Sequence, residues 1–162
     1  MKKIALILAA ISFATLSQAA LKPGDSVSPY IIHNVSTGKE YCQVCAYGTK
    51  AGKVLAFGKL DDAAFWSDLK KLQAIADKNP KIGIFAQVID SNDAKAIQAA
   101  AEKNGIKFPV VYAVEKDWDS AYDVQGVSRT IYFARQKNNI VWTSTGLDDK
   151  SASELESTLG KS

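Results

Sequence analysis

Two apolar runs, residues 54–57 and the β-branched 82–89, bracket a stretch in which Phe65, Leu69, Leu72 and Ala76 recur at helical spacing. A buried strand, an amphipathic helix and a second buried strand in that order form a βαβ unit, which forces the two strands to run parallel with the helix packed on their sheet. Asp61 or Asp62 can cap the helix and Asn79-Pro80 ends it. The alternation continues. Ser91 or Asn92 opens a helix with Ala94, Ile97 and Ala101 on one face, and Gly105 stops it. A strand over residues 108–114 and a short helix over 117–122 follow. Residues 130–134 and 140–144 then flank a polar turn, and Asp148 or Ser151 starts a last helix with Leu155 and Leu159 facing in. Ahead of the first core strand, residues 30–35 and 39–42 read as a hairpin turned at Gly38. The pattern predicts an α/β fold of three layers, a central mixed and mostly parallel sheet with an N-terminal β-hairpin extension and an antiparallel edge.

The first residues carry an address. Met1-Lys2-Lys3 is a basic head, residues 4–16 are apolar, and Ser17-Gln18-Ala19 supplies small residues at a cleavage site. This is the pattern of a secretory signal peptide over residues 1–19, leaving residues 20–162 as a single domain. The apolar run falls short of the roughly 20 residues a membrane-spanning helix needs, so no stable membrane anchor is expected. Removing two of the 20 basic residues with the signal leaves 18 against 17 acidic ones. A near-neutral chain without a basic stripe lacks the electrostatic footprint of nucleic-acid binding. The bacterial character of the signal points to the periplasm, with full secretion as the other destination.

The chain has two cysteines, Cys42 and Cys45, three apart, placed before the first core strand. Their spacing supports three readings. As a redox pair, Cys42 opens a helical turn with Lys39, Lys50 or Lys53 near enough to lower its pKa. It attacks, and Cys45, one turn in and more covered, resolves the mixed disulfide. As a structural disulfide, the pair ties the hairpin to the loop after it, as an oxidising compartment favours. As a metal site, two thiolates suit Cu(I), whereas zinc lacks four ligands at a recognised spacing. Haem attachment is excluded because Ala46, not histidine, follows Cys45. His33, the single histidine, reads as a partly exposed strand residue.

Several short motifs carry a resemblance. Gly24-Asp25-Ser-Val-Ser-Pro29-Tyr30, the hairpin around Asn34-Val-Ser-Thr-Gly38-Lys39, the strand Gly52-Lys53-Val54-Leu55-Ala56-Phe57, Phe108-Pro109-Val110, and Tyr122-Asp-Val-Gln-Gly126-Val127 together resemble the thioredoxin-like superfamily. The similarity is to its exported peroxiredoxin/TlpA-like branch. It implies a thioredoxin-like domain and partners that are protein thiols or disulfides, or a periplasmic redox protein; no cofactor or resident metal is implied, and oligomeric state is not readable. The departures fall at the chemistry. No cysteine lies in residues 58–66, where the resemblance would put the catalytic one. Ser128 stands where the reductases carry a cis-proline, so a trans bond is expected there. Arg129 matches the peroxiredoxin arginine but has no following thiolate to serve, and otherwise reads as a strand-entry arginine on the surface.

Phe65 and Trp66 on the first helix, and Trp118 and Tyr122 on the short one, read as core residues, with a partner surface as the other use of such aromatics. Tyr41 and Tyr47 flank the cysteines either as a shield or as a docking rim. The sequence shows no phosphate-binding glycine loop, no Ser/His/Asp set and no carboxylates paired for acid–base work.

Overall fold

The computed structural model describes residues 20–160, so the expected signal peptide lies outside the described residues. The elements are β1 (Ile31–Asn34), β2 (Glu40–Cys42), α1 (Gln43–Ala46), β3 (Gly52–Gly58), α2 (Ala63–Lys78), β4 (Ile82–Val88), α3 (Ala94–Lys103), β5 (Val110–Ala113), α4 (Trp118–Ala121), β6 (Arg129–Arg135), β7 (Ile140–Ser144) and α5 (Asp149–Leu159). They build one mixed sheet in the order β2-β1-β5-β4-β3-β6-β7. The predicted βαβ unit lies at its centre. β3 and β4 run parallel from Gly52 opposite Ile82 to Gly58 opposite Val88. β6 pairs antiparallel with β3 on one side, and the N-terminal hairpin joins the other side through β1, antiparallel to β5.

Both faces are covered, which gives the three layers expected. Side chains of α2, α3 and α5 pack on one face with Val54, Ala56, Ile84, Ala86, Ile131 and Phe133. On the other, Val44 of α1, Val27, Tyr30, Tyr122, Val124 and Val127 pack with Leu55, Phe57, Phe85 and Val111. β3 and β4 are buried along their whole length, as the near-continuous apolar runs require. Phe65, Trp66 and Tyr122 are core residues as expected. In α2 the stripe continues through buried Ile75, and Ala76 is only half-buried.

The helix starts follow from their caps. Asp62 accepts the Ala64 amide at 2.8 Å, and Asp148 accepts that of Ser151 at 2.7 Å. The cap of α3 is Asp93, not Ser91 or Asn92. Asp93 accepts the amides of Lys95 and Ala96 at 3.1 Å, while the Ser91 hydroxyl is engaged by the Asp93 amide and so belongs to the turn before the helix.

Candidate redox site

Cys42 ends β2 and is the N-cap of α1, so the sequence does open a helical turn at the first cysteine. Cys42 and Cys45 form a disulfide with 5.2 Å between their Cα atoms, and the Cys45 amide donates to the Cys42 sulfur at 3.1 Å. Coverage differs from the expectation. Cys45 is exposed, whereas Cys42 is half-buried and packs against the face that carries Val44 and Phe85. The reason is local: Cys42 still belongs to a strand backed by β1, while Cys45 sits on the solvent side of a four-residue helix whose buried positions are Gln43 and Val44.

The turn is held at several points. The Tyr41 hydroxyl donates to the Gln43 side chain at 2.7 Å and accepts from Asn34 at 3.0 Å. The Tyr47 ring packs against Gly83, where an added Cβ would come within 2.3 Å of it, and its hydroxyl donates to the Ile84 carbonyl at 2.9 Å. Burial pushes the Tyr47 phenol up to about 12. These tyrosines are therefore anchors of the turn. Lys53 reaches the turn. Its ammonium is buried, donates to the Val44 carbonyl at 3.3 Å and bonds the Asn138 side chain, and desolvation lowers its pKa. Lys50 instead donates to the Pro80 carbonyl.

With so many anchors, the disulfide has little left to hold. Closing a loop of four residues stabilises by about 2 kcal/mol in the chain-entropy account. Reduction of the pair is thus expected to leave the fold standing with a Tm lower by about 5–10 °C. Near-UV circular dichroism with and without reductant checks this, and loss of tertiary signal at 25 °C on reduction would contradict it.

The register locates the pair against the rest of the sheet. Cys42 faces Ile31, Ile32 faces Ala113, and Val111 faces Gln87, itself opposite Phe57. Cys42 therefore lies at the same end of the sheet as Gly58 and the start of α2, but four strand steps away, about 19 Å at ordinary strand spacing. What occupies the end of β3 is an ion cluster. The Arg129 Nε donates to Asp68 at 3.0 Å and its Nη1 lies 3.7 Å from Asp62, the cap of α2. Arg129 is half-buried and bound by two carboxylates, a closer engagement than the surface role expected of it. Desolvation raises the Asp68 pKa, opposed by the Leu147 amide and Arg129. An open cavity of about 310 Å³ beside this cluster is lined by Asp68, Arg129, Ser144, Gly146 and Ser151. Among the described residues no peptide bond is cis, so the Val127–Ser128 bond is trans as expected.

His33 sits half-buried on β1, stacked on Tyr112 with 4.8 Å between ring centres and 3.4 Å from Glu40, the partly covered strand position expected. Among the described residues no three His, Cys, Asp or Glu side chains gather as a metal site, and no helix is long and apolar enough to cross a membrane.

No family model and no curated protein matches the chain. Solved structures do match. The thioredoxin domain of a thiol-disulfide oxidoreductase from Bacteroides vulgatus superposes with a TM-score of 0.70 at 16% identity, over 86% of this chain and 99% of that one. A secreted Mycobacterium tuberculosis disulfide oxidoreductase, described as homologous to E. coli DsbE, gives 0.66 at 16% identity over 82% and 96%. An uncharacterized conserved protein from Geobacillus kaustophilus gives 0.67 at 20% identity over 79% and 70%. The chain has the thioredoxin-like fold.

Proposed function

We propose that this chain is an exported thiol–disulfide oxidoreductase, cleaved after residue 19 and working as a single thioredoxin-like domain of residues 20–162 in the periplasm, with Cys42 and Cys45 as its redox pair. The observation that carries the reading is the disulfide itself: one of its sulfurs belongs to an exposed residue, and the other accepts a main-chain N–H that would strengthen on formation of a thiolate. The secreted disulfide oxidoreductase among the structural neighbours fits both the address and the chemistry. Substrates on this reading are protein thiols or disulfides, and the pair exchanges with them through a mixed disulfide, without a cofactor.

A second reading, a redox-inactive adaptor that keeps the disulfide as a staple, draws support from the Asp62–Arg129–Asp68 cluster at the end of β3. A Cu(I) carrier rests on the two thiolates alone. The reduction potential decides. Equilibration with glutathione buffers is expected to place the pair above about −300 mV, the range of labile and catalytic disulfides, with insulin reduction that a Cys42→Ser/Cys45→Ser variant lacks. A potential below that value with no insulin reduction would leave the staple.

A further inference from the structure

We infer that exchange enters through Cys45 and leaves through Cys42, the reverse of the order in which the first cysteine of such a pair is attacked. The inference rests on the redox reading above and adds the polarity of the site. Thiol–disulfide exchange is an in-line displacement: the incoming sulfur approaches one sulfur along the extension of the S–S bond, opposite the sulfur that leaves. Cys42 packs against the core face of the sheet, and Cys45 stands on the solvent side of α1. Cys45 is the exposed member of the pair, so an incoming thiol reaches it from solvent. Cys42 is half-buried and flanked by half-buried Tyr41 and buried Gln43 and Val44. Access favours attack on Cys45.

The leaving side agrees. When a partner thiol, having lost its proton to solvent, attacks the Cys45 sulfur as a thiolate, a new S–S bond joins partner and Cys45. The old bond breaks, and its electron pair goes to the Cys42 sulfur. That sulfur already accepts the Cys45 amide at 3.1 Å, a bond that becomes charge-assisted as the thiolate forms. The buried Lys53 ammonium holds the Val44 carbonyl of the same turn, so the cysteine framework stays in place as the bond opens. A second thiolate of the partner then attacks the partner's own sulfur in the mixed disulfide, Cys45 leaves as a thiolate, and partner disulfide and protein dithiol result. Run backwards, the same steps make Cys45 the nucleophile toward a substrate disulfide and Cys42 the resolving thiolate.

The test uses glutathione. Oxidised wild-type protein mixed with reduced glutathione and quenched in acid is expected to carry the glutathione adduct on Cys45, read by fragmentation of the peptide that contains both cysteines. With glutathione disulfide, the Cys42→Ser variant, which keeps Cys45, should react at least about tenfold faster per thiolate than Cys45→Ser, with thiolate fractions taken from the pH profiles. Adducts on Cys42, or the faster rate in Cys45→Ser, would overturn the inference. Failure of the redox reading looks different, since it appears in the potential and in insulin turnover, whereas the order of the two sulfurs is read with a small reagent whether or not a protein substrate exists.

Discussion

Replacing Gly83 by alanine is expected to cost about 3 kcal/mol of stability and to loosen the disulfide turn, although the residue lies on β4 and touches neither cysteine. A Cβ at this position would stand 2.3 Å from the Tyr47 ring, a distance no adjustment of a few tenths of an ångström relieves. The ring must leave the sheet, taking with it its packing beside Phe85 and the bond to the Ile84 carbonyl. Evicting a large aromatic from such a site costs about 3–5 kcal/mol, with the lower end fitting a ring that is half-buried. Urea unfolding reads the loss as a lower midpoint at unchanged slope. The cause is checked by a pair of variants: Gly83→Ala on a Tyr47→Ala background should add almost nothing, because the clash has lost one partner. Full additivity would place the cost elsewhere. Tyr47→Phe separates the hydroxyl from the ring, removing about 1 kcal/mol for the hydrogen bond. It also removes a pH dependence. The folded phenol sits near 12 against an ordinary 10, so its contribution is complete below pH 10 and lost as pH rises through 12.

The architecture was legible because it is written in periods and punctuation. Apolar runs, the Phe65–Leu69–Leu72 stripe, Asp62 and Gly105 mark elements whose pairing a βαβ unit then fixes, whereas the helical turn at Cys42 is in the sequence only a condition of the redox reading, which the structure meets. What could not be read was side-chain destination. Lys53 lies between Gly52 and Val54 in a strand buried on both faces, so its ammonium has to end inside, yet nothing local says that it ends on the Val44 carbonyl. Tyr47 finds its place through a glycine 36 positions away, visible only once β3 and β4 are laid side by side. Ser91, Asn92 and Asp93 are all good cap residues, and the turn geometry, not the sequence, chooses Asp93. The coverage of the two cysteines depended on whether Cys42 counts as strand or as helix. It is both, and the strand decides its burial. The position of Arg129 along the chain says only that it enters a strand, whereas its partners are Asp68 of α2 and Asp62, the cap of that helix, 61 and 67 residues earlier.

That ion cluster makes the second large effect. Arg129→Leu is expected to cost about 2 kcal/mol at neutral pH, between the few kcal/mol of a broken buried pair and the small worth of an exposed one, since Arg129 is about one-third exposed and Asp68 about one-tenth. The loss comes from Asp68 left as a half-desolvated carboxylate. Its pKa already lies above its ordinary value because burial outweighs the Leu147 amide and Arg129, and removing the guanidinium raises it further. The sign follows: the deficit is complete above the variant's Asp68 pKa and fades as pH falls through it, because the protonated carboxyl needs no cation. Urea unfolding at pH 7 and at about pH 4 should show a gap between wild type and variant that narrows in acid, and Arg129→Leu/Asp68→Asn should recover most of the loss at pH 7. An equal gap at both pH values would mean that lost packing of the arginine stem, not the orphaned charge, sets the cost. The same variant tests where the chemistry lies. With the disulfide on β2, five strand steps from Arg129 on β6, thiol exchange per folded molecule should be unchanged, and a drop beyond the loss of folded protein would bring the end of β3 back into the reaction.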